Sequence, residues 1–191
     1  MDDRELVKKA QAGNQVAFGA LVEKYRMKMF NLAYSLTRNR EAADDLAQDV
    51  FIKAYLALNS FKFQSAFSTW LYRIAVNASK DFLRKETRVW KIPLEDSPPG
   101  TLMQEDTTPQ IDEAREKETQ KQMVHKALES LPEKYQVILS LRDIQGFPYN
   151  EISQMLEISP GTVDSRLHRA RKMLRKKVNQ LTARLGGDYA V

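Results

Sequence analysis

The chain has 191 residues, enough for one ordinary domain or two small ones, and its 42% hydrophobic and 29% charged residues are typical of a globular protein. It has no cysteine, which excludes disulfides, thiolate metal sites and a cysteine nucleophile; its two histidines, His125 and His168, lie far apart in sequence and argue against a zinc site or a histidine-dependent triad. The formal net charge of +5 favours a polyanionic partner without identifying one.

The seven prolines all fall between Pro93 and Pro160, and the rest of the chain is rich in Ala, Leu, Glu, Lys, Arg and Gln, all good helix formers. An all-α fold is expected. No run approaches the roughly 20 apolar residues needed to span a bilayer. Met1-Asp2-Asp3-Arg4-Glu5 is not followed by an apolar stretch, so neither a signal peptide nor membrane insertion is expected, and the location expected is cytoplasmic.

In chain order, a short helix is expected from about Asp2 to Ala12, ending at Gly13. A second starts behind Asn14, a good N-cap, with Phe18, Leu21, Val22, Tyr25 and Met29 on one face. A third covers about Arg40 to Leu58, with Ala43, Leu46, Ala47, Val50, Phe51 and Ala54 at helical spacing. The segment Asn59 to Phe67 reads as a loop rich in aromatics. A fourth helix runs from near Ser68 to about Lys85 and is expected to bury Trp70, Leu71, Ile74, Ala78 and Phe82. Periodicity then fails between about Thr87 and Pro109, where prolines accompany Glu95, Asp96, Glu105 and Asp106, as in a flexible acidic linker. Helical signal resumes near Ile111 and reaches Leu131, and Pro132 suits the first position of another helix. The expected organisation is two small helical domains, 1–86 and 111–191, joined by a linker over 87–110.

The strongest local motif begins at Tyr149. Ile152, Leu156, Ile158, Val163 and Leu167 have the spacing of the small core between two crossing helices, joined by Glu157-Ile158-Ser159. Ser159 can cap the second helix and Pro160 suits its first turn, which together give a helix-turn-helix. In such a unit the second helix enters the DNA major groove. Here that helix carries an apolar stripe (Val163, Leu167, Ala170, Leu174, Val178, Leu181), while Asp164, Ser165, Arg166, His168, Arg169 and Lys172 lie outside it. The segment Arg166 to Lys177 holds seven basic residues and no acid. Arg166 and Arg169 suit guanine edges or phosphates, and Arg175, Lys176 and Lys177 suit phosphates.

Two stretches of the N-terminal half complete the pattern. Asp44, Asp45, Gln48 and Asp49 share one polar face, suited to a basic partner surface. Arg73, Asn77, Lys80 and Arg84 repeat at steps of four, three and four and form a mostly basic stripe beside the aromatic loop, an arrangement that binds single strands. Read singly, Asp44, Asp45 and Asn77 also fit ordinary helix surface.

These two stretches, with Leu128-Glu-Ser-Leu-Pro-Glu-Lys-Tyr135 and the helix-turn-helix, resemble the extracytoplasmic-function sigma factors of the sigma-70 family, from about Glu5 to Lys85 and from Ile111 to Lys177. The resemblance implies a promoter-recognition subunit of bacterial RNA polymerase, without enzymatic activity or cofactor, often serving a stress response. By it, Asp44, Asp45, Gln48 and Asp49 dock on the polymerase clamp coiled coil. Ser60, Phe61, Lys62, Phe63 and Phe67, with Arg73, Asn77, Lys80 and Arg84, read the minus-ten element, where the family melts the duplex and captures an extruded base. Thr162, Asp164, Ser165, Arg166, His168, Arg169 and Lys172 read the minus-thirty-five element as duplex, while that domain contacts the polymerase flap. The linker occupies a polymerase channel, and an anti-sigma factor covering both domains is expected.

Two departures stand out. Many family members carry Lys or Arg where this chain has Asp164, which can accept but not donate and repels phosphate, so altered base preference is expected. Pro148 stands where a capping Ser is common, so the helix at Tyr149 is expected to start without a side-chain cap. The C-terminal half alone equally fits a free-standing helix-turn-helix regulator; the acidic face and the basic-aromatic surface of the N-terminal half favour the polymerase partner. A glycine-rich phosphate loop and a nucleophile-base set are both lacking, which leaves an enzyme with little support.

Overall fold

The computed structural model describes residues 2–89 and 120–185, and they are helical in two units, as expected. Most of the expected linker and the helical signal from Ile111 lie outside the described residues. The first unit contains α1 (Asp3–Gln11), α2 (Gln15–Thr37), α3 (Arg40–Ala57) and α4 (Phe67–Val89), with a single 3-10 turn at Leu58–Ser60. The second contains α5 (120–129), α6 (Glu133–Leu139), α7 (Tyr149–Leu156) and α8 (Pro160–Leu185).

Local chemistry sets most boundaries. Gly13 adopts φ +91°, the left-handed region that glycine enters without a Cβ clash, and turns the chain between α1 and α2. The Asn14 side chain then accepts from the Ala17 amide at 3.0 Å, and Asn39 does the same for Ala42 at the head of α3, also at 3.0 Å. α4 begins one residue before the expected Ser68 and continues past Lys85 to Val89. Pro132 is the N-cap of α6, not its first helical residue, because its ψ of 142° is extended; the helix starts at Glu133.

α6 does not stop cleanly. It widens into a π-turn over Ser140–Ile144, in which the Gln145 amide donates to the Ser140 carbonyl at 2.9 Å. Gly146, at φ +78°, then lets the chain fold back, so that the Phe147 amide reaches the Leu141 carbonyl at 3.0 Å. This wide turn carries Phe147 out to the first unit.

The first unit's core is built from Leu21, Tyr25, Met29 and Leu32 of α2, Ala43, Ala47, Val50 and Ala54 of α3, and Leu71 of α4. The second unit's core is built from Ile138, Leu141, Ile152, Met155, Val163 and Leu167. The two cores run into one another as a single apolar cluster, with α4 packed on α6 and α7 and α2 on the π-turn. On α4, Leu71 and Ala78 are buried as expected, whereas Trp70, Ile74 and Phe82 are only partly so. Tyr72, Ala75, Val76 and Ser79 are buried in addition, because α4 is covered on two sides.

Candidate nucleic-acid interface

The aromatic loop is a braced structure. Phe61 and Phe67 are buried and stack with each other and with Trp70 at centroid distances of 5.2–5.9 Å. They support the surface that the loop presents, while Ser60 and Lys62 are exposed and Phe63 is partly so. From α1, the Gln11 amide donates to the carbonyls of both Leu58 and Phe61 at 2.9 Å, pinning the loop's entry. Phe63 sits at φ +57°, a left-handed conformation that costs a bulky residue about 1–3 kcal/mol and that the surrounding contacts must hold.

Along α4, the expected stripe divides. Asn77 is exposed and Lys80 half-buried, but the two arginines at the ends are engaged by the second unit. Arg73 pairs with the Glu157 carboxylate at 3.0 Å and donates to the Gln154 carbonyl at 3.2 Å. Arg84 makes a two-pronged contact with Glu133, its Nε and Nη2 donating at 2.8 and 2.7 Å, and the hydrogen bonds and charge of Glu133 raise the pKa of the guanidinium.

Apolar and hydroxyl contacts complete the closure. The Tyr72 and Phe147 rings meet edge to face at 4.7 Å, and the buried Ser35 and Ser140 hydroxyls share a hydrogen bond. Burial, with a smaller contribution from the Glu151 charge, pushes the Tyr72 hydroxyl up to about 12, so it stays neutral. An arginine has only donors, so the 2.9 Å contact between Arg38 and His125 makes the His125 Nε2 an acceptor. The fit is imperfect at Arg73, whose buried Nε–H has no partner, beside a cavity of about 470 Å³ shared by Gln64, Ser65, Ser153, Gln154 and Glu157.

The acidic face of α3 is open. Asp44 and Gln48 line a groove between α2 and α3 with Arg26, Met27, Phe30 and Ile52, whereas Asp45 and Asp49 lie outside that groove and Asp49 pairs with Lys53 at 2.7 Å. The apolar floor continues past Phe18 and Phe51 to Tyr55 and Leu56. Ile52 is 59% and Leu56 77% exposed, a large apolar surface that no residue of the second unit lines. Sequence reading found the acids of this face and missed its apolar half; the signal was there in Ile52 and Leu56, which fall outside the core register of α3.

The helix-turn-helix has the expected form. Ile152, Val163 and Leu167 are buried, with Leu156 and Ile158 packed against them. Glu157 takes the left-handed position at φ 55° that ends α7, and Ser159 caps α8 by accepting from the Thr162 amide at 3.2 Å. As expected, Pro148 starts α7 without a side-chain cap. Asp164, His168, Arg169 and Lys172 are exposed on α8, and Thr162, Ser165 and Arg166 are partly so. Arg171 lies in the same basic run but is held by Asp143, to which its Nη2 and Nε donate at 2.6 and 3.2 Å.

The sequence matches two families in the order of these units: sigma-70 region 2 over residues 21–89 and sigma-70 region 4 over residues 121–174. The ECF RNA polymerase sigma-E factor of Escherichia coli K12 is 37% identical over 190 residues, covering 96% of this chain and 98% of that one. The sigma-E factor of Haemophilus influenzae is 35% identical over 189 residues, 95% of this chain and 97% of its own. Among solved structures, CnrH in complex with the cytosolic domain of CnrY matches with a TM-score of 0.63 and 28% identity, covering 98% of this chain and 99% of that one. The sigma factor RpoE of Bartonella quintana, in complex with the anti-sigma factor NepR, matches with a TM-score of 0.59 and 25% identity, covering 85% and 96%. A region 2 unit with a basic stripe, a region 4 unit with a capped helix-turn-helix, and likeness over the whole length place this chain in the ECF sigma factors of the sigma-70 family.

Proposed function

We propose that this chain works as a sigma factor by dividing three tasks among three surfaces. The groove of Asp44, Gln48, Met27 and Ile52, with Asp45 and Asp49 beside it, docks on the clamp coiled coil of core RNA polymerase. Ser60, Lys62 and Phe63, supported by Phe61 and Phe67, and the stripe of Arg73, Asn77, Lys80 and Arg84 melt and read the minus-ten element. The exposed face of α8, with Thr162, Asp164, Ser165, Arg166, His168, Arg169 and Lys172, reads the minus-thirty-five duplex, and the same unit meets the polymerase flap.

The observation that carries this reading is the contrast between surfaces. The docking groove is open and half apolar, while both end arginines of the strand-reading stripe are paired with acids of the second unit. Docking is therefore available to the free chain, whereas full strand contact requires α4 to part from α6 and α7. Phosphates then replace Glu133 and Glu157. The chain acts where polymerase acts, in the cytoplasm, and supplies recognition; polymerisation chemistry belongs to its partner.

CnrH and the Bartonella factor were solved with the cytosolic domain of CnrY and with NepR, and an inhibitor of that kind suits this chain as well. Its simplest action is to hold the closed arrangement and cover the groove. Transcription in vitro with core polymerase and a promoter library tests the whole reading. It requires promoter-selective transcripts that depend on Lys80 and Arg169; the reading is lost if the chain fails to bind core polymerase.

A further inference from the structure

A second cavity, of about 270 Å³, lies between the first turn of α1 and the aromatic loop. Its walls are Asp2, Asp3 and Arg4 on one side and Phe61, Phe63 and Phe67 on the other, with Ser65 and Ala66 at the loop's far end. No residue of the second unit lines it, so it stays open in the closed arrangement. The Arg4 guanidinium sits 5.6 Å from the Phe63 ring centroid, against the residue held in the left-handed conformation.

We infer that this cavity takes one unstacked nucleobase of the melted strand, and that Arg4 is the specificity-determining residue that donates to an acceptor atom on its edge. The inference rests on the strand-reading role of the first unit and adds to it a contribution from α1. The chemistry of the walls selects the ligand. Asp3 is already committed, its carboxylate bound by Lys24 at 2.6 Å and by the Tyr25 hydroxyl at 2.5 Å. Asp2 makes no capping bond to its own helix and Arg4 is exposed, so one acceptor and one set of donors face an aromatic wall. Two acids beside the arginine repel a bare phosphate, and a purely apolar group would leave the charges of Asp2 and Arg4 unsatisfied. A flat heterocycle with donor and acceptor atoms on its edge satisfies both walls, stacking on Phe63 and bonding to Arg4 and Asp2. Position agrees: the ring contacts Phe61–Phe67–Trp70 connect the cavity to the first turn of α4, where the basic stripe starts.

The test uses the full chain and single-stranded DNA. A random 12-nucleotide pool is selected on the wild type, and the enriched strand is then varied at each position to the other three bases and to an abasic site. Arg4→Ala is expected to weaken binding about tenfold through one position only, where the preference among bases collapses and the abasic strand binds both proteins equally. Arg4→Lys, which keeps the charge and loses the planar fork, is expected to leave that preference weakened. An even loss across all positions with the abasic strands included, full rescue by Lys, a lowered melting temperature that accounts for the loss, or no change would each overturn the inference. If binding in that case still falls with Lys80→Ala, the strand-reading role survives and only the role of Arg4 is lost. If the wild type enriches no strand and Lys80→Ala has no effect, the strand-reading role itself fails and takes the inference with it.

Discussion

Arg73 and Glu157 stand 3.0 Å apart, although one belongs to the helix expected to grip single-stranded DNA and the other ends the first helix of the helix-turn-helix. The two DNA-reading units thus use each other's charges. Because Glu157 is 67% exposed, the pair is an exchangeable contact, of about 0.2–1 kcal/mol, and not a buried lock. Arg84 and Glu133 repeat the arrangement farther along α4. Holding basic residues on acids in place of phosphates suits a protein whose free form should not grip DNA.

Neutralising those acids should release the stripe. Glu157→Gln with Glu133→Gln keeps side-chain size and spares the left-handed backbone at residue 157 the strain of a new side-chain shape. Single-strand affinity should rise about two- to tenfold at low salt, and the gain should shrink as salt rises. Fluorescence anisotropy across a salt series measures both. Unchanged affinity at every salt concentration would show that the pairs do not compete with DNA.

The ring contact holds the two units together through packing. Phe147→Ala removes the edge-to-face partner of Tyr72, worth about 0.5–1.5 kcal/mol beyond the lost burial. The units should separate more often, seen as a larger radius of gyration by small-angle scattering, while helix content by circular dichroism holds. The Tyr72 hydroxyl should titrate at lower pH once exposed, since burial is the first cause of its raised value.

The difference between what sequence reveals and what it hides follows from range. Asn14, Ser159 and the Glu157-Ile158-Ser159 turn act on neighbours within four residues, so their roles were visible in the order of residues. The burial of Tyr72, Val76 and Ser35 depends on Phe147 and Ser140, whose places against them are set by a π-turn that has no sequence signature. Of the seven basic residues in the Arg166–Lys177 run, Arg171 is withdrawn by Asp143, a pairing that spans α8 and the π-turn and is invisible to periodicity. Arg4 escaped for the same reason: its partner Phe63 comes from a loop.

The docking groove yields a clean separation of binding from folding. Ile52 is 59% exposed, so Ile52→Glu should leave the melting temperature nearly unchanged. It should cost at least about tenfold in affinity for core polymerase, because an apolar anchor worth about 1.5–3 kcal/mol is replaced by a charge. DNA binding by the free chain should not change. Equal polymerase affinity for variant and wild type would confine docking to the acids.

Acid should loosen the N-terminal brace. Burial alone would raise the Asp3 carboxyl, but the hydrogen bonds from Lys24 and Tyr25 and the charges of Lys24 and Lys28 outweigh it and leave the pKa lowered. A carboxyl lowered by folding contributes its stability in full above the unfolded value, near pH 4, and loses it as pH falls through the folded value. Urea midpoints for wild type and Asp3→Asn should therefore differ by a constant amount from about pH 5 to 7 and converge below about pH 4. A gap that persisted undiminished into acid would assign the effect to shape instead of charge.

Asp164 sets the last expectation, on the recognition helix. It is exposed in the second turn of α8, one residue beyond the buried Val163 that fixes the helix on its core, so its side chain faces the duplex when α8 does. A carboxylate there repels the phosphates that Arg169 and Lys172 attract, and it can accept only from an amino group such as that of cytosine. Asp164→Ala should bind non-specific duplex about two- to tenfold more tightly at low salt, from the lost repulsion. It should also lose discrimination at a single base pair, by about 1–3 kcal/mol, while preferences read by Arg166 and Arg169 persist. Duplex libraries selected on both proteins at one fixed salt concentration separate these effects. If affinity and base preference were both unchanged, Asp164 would be an ordinary surface acid and the reading of the upstream element would rest on the arginines alone.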